Sequence, residues 1–344
     1  MSSAKNQKNK VFESSQKEDV FLDQKLRPLN FNEYIGQEHI KKNLLILLNA
    51  ANERNHPPEH ILFYGPPGLG KTTLANLISK HTGKQIKVTS GPAIERVGDL
   101  ASILTNLESG DIFFIDEIHR LNKTVEEILY PAMESGVLDI IIGKGPSARS
   151  IQLELPPFTI IAATTRVSMI SSPLRSRFSG GIHKLEFYTE REITEIVKRS
   201  AKILNVEIDE DASEEIAIRS RFTPRTANYL LKRCRDLAQV NKTKLDGKTV
   251  KETLNLLGID EIGLTKADRD ILNTIINKYG GGPVGASTLA TSLSEEIGTI
   301  EEFHEPYLIQ LGLIERTPRG RIVTEKAFKH LDIDMPEGFQ EKLI

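Results

Sequence analysis

Eight consecutive residues, Gly65-Pro-Pro-Gly-Leu-Gly-Lys-Thr72, fit the spacing G-x-x-x-x-G-K-[ST]. Glycines so placed let successive backbone N–H groups curl around phosphates, with a lysine meeting the β- and γ-phosphates and a hydroxyl on Mg²⁺. Gly68 and Gly70 lie in this curl, and Lys71 and Thr72 are the lysine and hydroxyl. Asp116 follows Lys71 by 45 positions, at the end of the apolar run Ile112-Phe-Phe-Ile115, and Glu117 comes next. An acid there holds Mg²⁺ through water, and its neighbour orients and activates the attacking water. A third apolar run ends at Thr164, 47 positions past Glu117, where a hydroxyl can contact the γ-phosphate or place the water. Phosphoryl transfer also needs positive charge on the transferring group, supplied in cis or in trans. Ser172-Pro-Leu-Arg-Ser-Arg-Phe178 offers Arg175 and Arg177 for this, and Phe222-Thr-Pro-Arg225 opens a helical stretch with Arg225 able to reach phosphates.

These residues need a frame that holds strand ends together. From His60 onward, short apolar runs (61–64, 86–88, 112–115, 159–162) alternate with helical stretches, the signature of a parallel sheet with helices on both faces. The pattern predicts an α/β P-loop domain over 22–188. Residues 189–258 show helical spacing only (192–204, 212–220, 226–240), which predicts a small all-α domain. Over 259–344, helical stretches at 266–279, 287–293 and 299–311 precede two short strands around Thr317-Pro-Arg-Gly320, the order of a winged helix. The segment 316–330 carries five Lys/Arg and one Glu, with Arg316, Arg319 and Arg321 on the hairpin, so it suits backbone phosphates without base reading. Residues 137–155 read as another hairpin, turning at Gly143-Lys-Gly-Pro146, and the polar residues 1–21 as a mobile tail that could begin with an expression scar.

Composition bounds the rest. The 344 residues carry 47 Asp/Glu against 45 Lys/Arg, net −2, which excludes a polycation held on nucleic acid by bulk charge. The single cysteine, Cys234, excludes an intramolecular disulfide framework. No apolar run reaches the roughly 20 residues of a membrane span, and the N-terminus is not signal-like. The expected protein is soluble, with no membrane association.

In order, these motifs make the chain resemble an AAA+ ATPase. Longer strings narrow this: Leu26-Arg-Pro28, Thr89-Ser-Gly-Pro92, Phe114-Ile-Asp-Glu-Ile-His-Arg-Leu121, Leu129-Tyr-Pro-Ala-Met133, Glu305-Pro-Tyr-Leu-Ile-Gln310 and Arg316-Thr-Pro-Arg-Gly-Arg321 resemble the RuvB family over about residues 22–330. The resemblance implies a large ATPase domain, a lid and a DNA-binding head. It further implies ATP with Mg²⁺, homohexameric rings on the double-stranded arms of a Holliday junction, RuvA and RuvC as partners, and the bacterial cytoplasm. By position it implies nucleotide contacts at Leu26, Arg27, Gly68, Lys71, Thr72, Thr73, Glu134, Ser135, Gly136, Arg177, Tyr188 and Arg225, with Arg177 the trans-acting finger and Arg175 its support. It places DNA contacts at Arg316 and Arg321, and RuvA on the 137–155 hairpin, where Leu138-Asp-Ile-Ile-Ile142 offers apolar surface. Two departures stand out: Ile297 occupies a position often held by arginine, and Ser179-Gly-Gly181 is one residue long. Another AAA+ machine, such as a clamp loader or protein remodeller, and a DNA-binding adaptor with a vestigial P-loop remain alternatives. The Arg-rich wing, the lack of a threading aromatic loop and the complete Lys71, Glu117 and Arg177 set count against them.

Overall fold

The computed structural model describes residues 22–142, 149–336 and 339. The tail expected over 1–21 and the hairpin turn expected at 143–146 lie outside them. Contacts divide the chain into two units, one running to Glu186 apart from Pro66–Gly68 and one from Phe187 onward.

The first unit is an α/β sandwich. It contains α1 (Glu38–Glu53), β1 (Ile61–Tyr64), α2 (Lys71–Thr82), β2 (Ile86–Ser90), α3 (Val97–Thr105) and β3 (Ile112–Asp116). Then follow α4 (Lys123–Ser135), β4 (Val137–Ile142), β5 (Arg149–Glu154), β6 (Thr159–Thr164), α5 (Ser172–Ser176) and β7 (Ile182–Lys184). Five strands form one parallel sheet in the order β2-β3-β6-β1-β7. Its central strands are buried on both faces, which is why each reads as a continuous apolar run instead of an alternating one. The edge strand β7 carries no such run because Ile182 and Lys184 face solvent, so apolar patterning does not reveal it. Strand β6 lies between β1 and β3, with Tyr64 opposite Thr164 and Ile115 opposite Ala162. The carboxyl ends of β1, β3 and β6 therefore meet at one edge of the sheet, the place where open α/β sheets bind ligands. Strands β4 and β5 pair antiparallel in register Leu138–Leu153 and Ile140–Ile151.

The second unit begins with α6 (Glu190–Ile203), α7 (Glu210–Ile218), α8 (Pro224–Asn241) and α9 (Gly247–Leu256). The first three lie where helical spacing predicts them; α9, with few apolar positions, was not legible. After α10 (Lys266–Tyr279) and α11 (Ala286–Leu293), a composite helix runs from Ile297 to Gln310. Its middle is a π turn, Ile300–His304, and its end is α12 (Glu305–Gln310). Strands β8 (Ile314–Thr317) and β9 (Gly320–Val323) form the wing hairpin, followed by α13 (Glu325–His330). Ile271, Leu272, Ile275 and Ile276, at helical spacing on α10, centre the core beneath the wing. The capping box of Thr265 with Asp268 starts that helix.

Candidate active site

The segment after β1 turns at Gly65, Gly68 and Gly70, all at positive φ, the region where glycine escapes the Cβ penalty. A Cβ on Gly65 would lie 2.7 Å from the Leu185 carbonyl oxygen, so glycine also permits close packing against the chain after β7. Helix α2 follows directly, and its first N–H groups and dipole favour an anion at that end. Lys71, the first residue of α2, is buried, and its amine donates to the Gly65 carbonyl at 2.7 Å. Tyr34 backs the loop from its hydroxyl to the Leu69 carbonyl at 3.4 Å, a support the motif spacing does not reveal.

At the end of β3, Asp116 Oδ2 lies 3.4 Å from the Thr72 hydroxyl, which donates to it. A hydroxyl and a carboxylate beside an anion cradle form the hard-oxygen set that suits Mg²⁺. Glu117 sits in the left-handed region at φ 48°, an uncommon conformation for a side-chain-bearing residue and one concentrated at functional sites. Its carboxylate pairs with Arg120 at 3.3 Å. Thr164, at the end of β6, is fully buried. Its oxygen accepts the Arg166 N–H at 2.9 Å and lies 2.9 Å from His119 Nδ1. The structure therefore brings Lys71, Thr72, Asp116, Glu117 and Thr164 to one sheet edge, and it gives His119 a role that spacing alone does not. His119 belongs to no metal cluster among the described residues.

Arg177 belongs to a different constellation. It follows α5, whose N-cap Ser171 accepts from the Leu174 N–H. The guanidinium donates to Glu134 at 2.8 Å and to the Pro173 carbonyl at 2.7 Å, and stacks 4.6 Å above the Tyr130 ring. Tyr130 in turn donates to Glu126 at 2.6 Å, so the platform is itself anchored. Burial and the Glu126 hydrogen bond push the Tyr130 phenol above its ordinary value, keeping it a neutral donor. Arg177, Glu134, Ser135 and Gly136 line a cleft of about 930 Å³ with His60 and Phe158, a cleft that Lys71, Asp116 and Glu117 do not line. Arg175 is half-buried, and the segment after Arg177 folds back through the Gly180 N–H, which donates to the His60 carbonyl at 2.9 Å. Leu26 is buried, while Arg27 is exposed and Thr73, on the first turn of α2, is half-buried.

In the second unit, Thr223 caps α8 and leaves Arg225 exposed on its first turn. Tyr188 is buried, with its N–H donating to the Phe222 carbonyl at 3.1 Å. The three wing arginines are not equivalent. Arg319 is exposed at the turn. Arg316 is half-exposed and pairs with Glu301 at 3.0 Å. Arg321 is only 9% exposed, donates to Glu301 at 2.8 Å, and is bonded on its other side to Glu305. Two acids of the composite helix thus lie against the wing, so its basic edge is smaller than the charge count of 316–330 implies. Arg321, expected as a DNA contact, is held by these two carboxylates beneath the wing. Leu138 is likewise fully buried, so it offers no apolar docking surface, whereas Ile151 on the paired strand is exposed. Ile297 is exposed at the start of the composite helix.

No helix among the described residues is long and apolar enough to cross a membrane. Three family models match in succession: the Holliday junction DNA helicase RuvB P-loop domain over residues 26–185, the RuvB AAA lid domain over 188–260, and the RuvB C-terminal winged helix domain over 261–332. The Holliday junction branch migration complex subunit RuvB of Fusobacterium nucleatum is 56% identical over 313 residues, covering 91% of this chain and 94% of that one. The solved Thermotoga maritima RuvB Holliday junction branch migration motor is 51% identical, with a TM-score of 0.84 over 91% of this chain and all of the other. A variant of that Thermotoga protein is 50% identical, covers 90% of this chain and 99% of its own, and has a TM-score of 0.83.

Proposed function

The chain belongs to the RuvB family of Holliday-junction branch-migration ATPases, and from that premise we propose that it works as a homohexameric ring driving double-stranded DNA of junction arms, with RuvA and RuvC as partners in the bacterial cytoplasm. ATP lies with its phosphates at the N-terminus of α2, contacted by Gly68, Gly70, Lys71, Thr72 and Thr73, with Leu26, Arg27, Tyr188 and Arg225 completing the contacts of the same subunit. Lys71 carries the β- and γ-phosphates. Thr72 and Asp116 would hold Mg²⁺, which neutralises charge developing on the phosphoryl oxygens. Glu117 turns from Arg120 to take a proton from the attacking water, and the Thr164 hydroxyl, oriented by His119, places that water. The γ-phosphoryl leaves as phosphate and ADP remains.

One observation carries the ring. Arg177 is assembled with Glu134, Ser135 and Gly136 in a cleft apart from its own subunit's phosphate cradle. That placement supports a finger, assisted by Arg175, acting on a neighbour's nucleotide. In the head, Arg316 and Arg319 hold backbone phosphates of any sequence, as a translocating motor requires, while Arg321 props the wing from beneath. RuvA docks on the 137–155 hairpin.

The deciding experiment is ATP-dependent dissociation of a synthetic four-way junction, with and without RuvA. Dissociation that RuvA stimulates is the expected result. Activity on a plain forked duplex with none on the junction would overturn the reading.

A further inference from the structure

The lid and the head of the second unit meet at a buried charge. Arg221, the residue before the Phe222-Thr-Pro-Arg225 run, is 7% exposed and reaches into the head. Its guanidinium donates to both carboxylate oxygens of Asp268, at 3.2 and 3.4 Å, and to the Phe303 carbonyl at 2.9 Å. It is sandwiched by two aromatic rings, 4.6 Å from Phe303 and 4.7 Å from Tyr307. Asp268 has no exposed surface and also takes a hydrogen bond from His304 at 2.7 Å and two from Thr265, at 2.8 and 2.6 Å. Phe222 packs on the head's core, 5.9 Å from the Tyr307 ring. Close approach is enforced beside them: a Cβ on Gly263 would lie 2.9 Å from the Arg219 carbonyl oxygen and 2.6 Å from the Tyr307 hydroxyl.

The backbone cost of this arrangement is unusual. Arg221 and Phe222 are consecutive side-chain-bearing residues in the left-handed region, at φ 58° and 52°. Each such residue costs on the order of 1–3 kcal/mol and persists only where surrounding contacts over-determine it. A plain connection between two domains needs neither the strain nor a buried charge, whose desolvation is repaid only by a complete set of partners. The pair lies between α8, whose first turn bears Arg225, and the helices beneath the wing.

We propose that Arg221 and Phe222 are positioning residues that lock lid and head into one turning body, so that a change at Arg225 reaches the DNA-holding wing undiminished. The inference rests on the reading of Arg225 as a nucleotide contact. Arg221 itself touches neither nucleotide nor DNA and acts through Asp268 and His304.

Hydrogen exchange on the full chain, with and without ADP, tests the lock without using DNA. In the unsubstituted protein ADP should slow exchange both at the start of α8 and in α10 and α12. In Arg221→Leu and Asp268→Asn the α8 response should remain while the head response is lost, and Arg221→Lys should restore part of it. Phe303→Ala, which trims an exposed ring, should weaken the head response and serves if the buried variants do not fold. A second measurement is the ATP consumed per junction dissociated, expected to rise at least fivefold in Arg221→Leu with phosphate release within twofold. A head that ignores ADP in the unsubstituted chain, or responds equally in the variants that fold, overturns the inference. An intact exchange response without any junction dissociation would instead count against the proposed function.

Discussion

Arg316 and Arg321 look interchangeable in the sequence, yet the structure predicts opposite consequences for removing them. Arg321 is enclosed by Glu305, itself 2% exposed, and by Glu301. Arg321→Ala leaves the buried Glu305 carboxylate only the longer 3.6 Å approach of Arg316, and breaking a buried pair costs about 3–5 kcal/mol, so the lower figure applies. For a unit of this size, roughly 2–4 °C per kcal/mol converts the lower figure into a fall in Tm of about 6–12 °C. Arg316 is 55% exposed, and surface pairs of its kind contribute about 0–1 kcal/mol, so Arg316→Ala should melt almost where the parent does. Its effect belongs to binding: each lost phosphate contact should lower the slope of log affinity against log salt by about 0.9. Scanning calorimetry and anisotropy titrations of duplex DNA across a salt series separate the two. If Arg321→Ala kept the parental Tm and lost the same salt slope as Arg316→Ala, the strut assignment would be wrong and Arg321 would be a phosphate contact.

Glu117→Gln keeps the phosphate cradle and removes the proton acceptor, so it should bind ATP with near-parental affinity while phosphate release falls at least a hundredfold; retained turnover would show another base. Mixed assemblies of parental and Arg177→Ala subunits should lose ATPase activity more steeply than in proportion to the variant fraction, and strict proportionality would refute a finger in trans. Burial lowers the His60 pKa from its ordinary 6.5, outweighing the Met133 hydrogen bond and Glu59 that favour the charged form. The unfolded chain thus binds the proton more readily, and this contribution to stability is present above about pH 6.5 and lost as pH falls toward the lowered value. Thermal melts of the parent should therefore decline from pH 7 to 5 more steeply than those of His60→Gln; parallel curves would refute the linkage.

The chemistry along the sheet edge was legible because it is local. A phosphate cradle needs glycines, a lysine and a hydroxyl at fixed spacing, and strands buried on both faces must be continuous apolar runs, so 65–72, 112–117 and 159–164 announce both themselves and the sheet. Helices such as α10 were equally legible from apolar spacing. Partners distant along the chain were not. Nothing in the spacing ties Tyr34 to the loop after β1, His119 to Thr164 or Tyr130 to Arg177, because each meeting depends on how strands and helices stack. The charge of the wing shows the difference most sharply. Residue types alone make 316–330 strongly basic, whereas packing the composite helix beneath β9 brings Glu301 and Glu305 against Arg316 and Arg321. The same holds for Arg221, an ordinary charge in the sequence that becomes the lid's anchor only when Asp268 and two aromatic rings enclose it. Composition and spacing determined which residues could do chemistry; burial, which sets the cost of an unpaired charge, decided which are free to meet a ligand and which hold the fold.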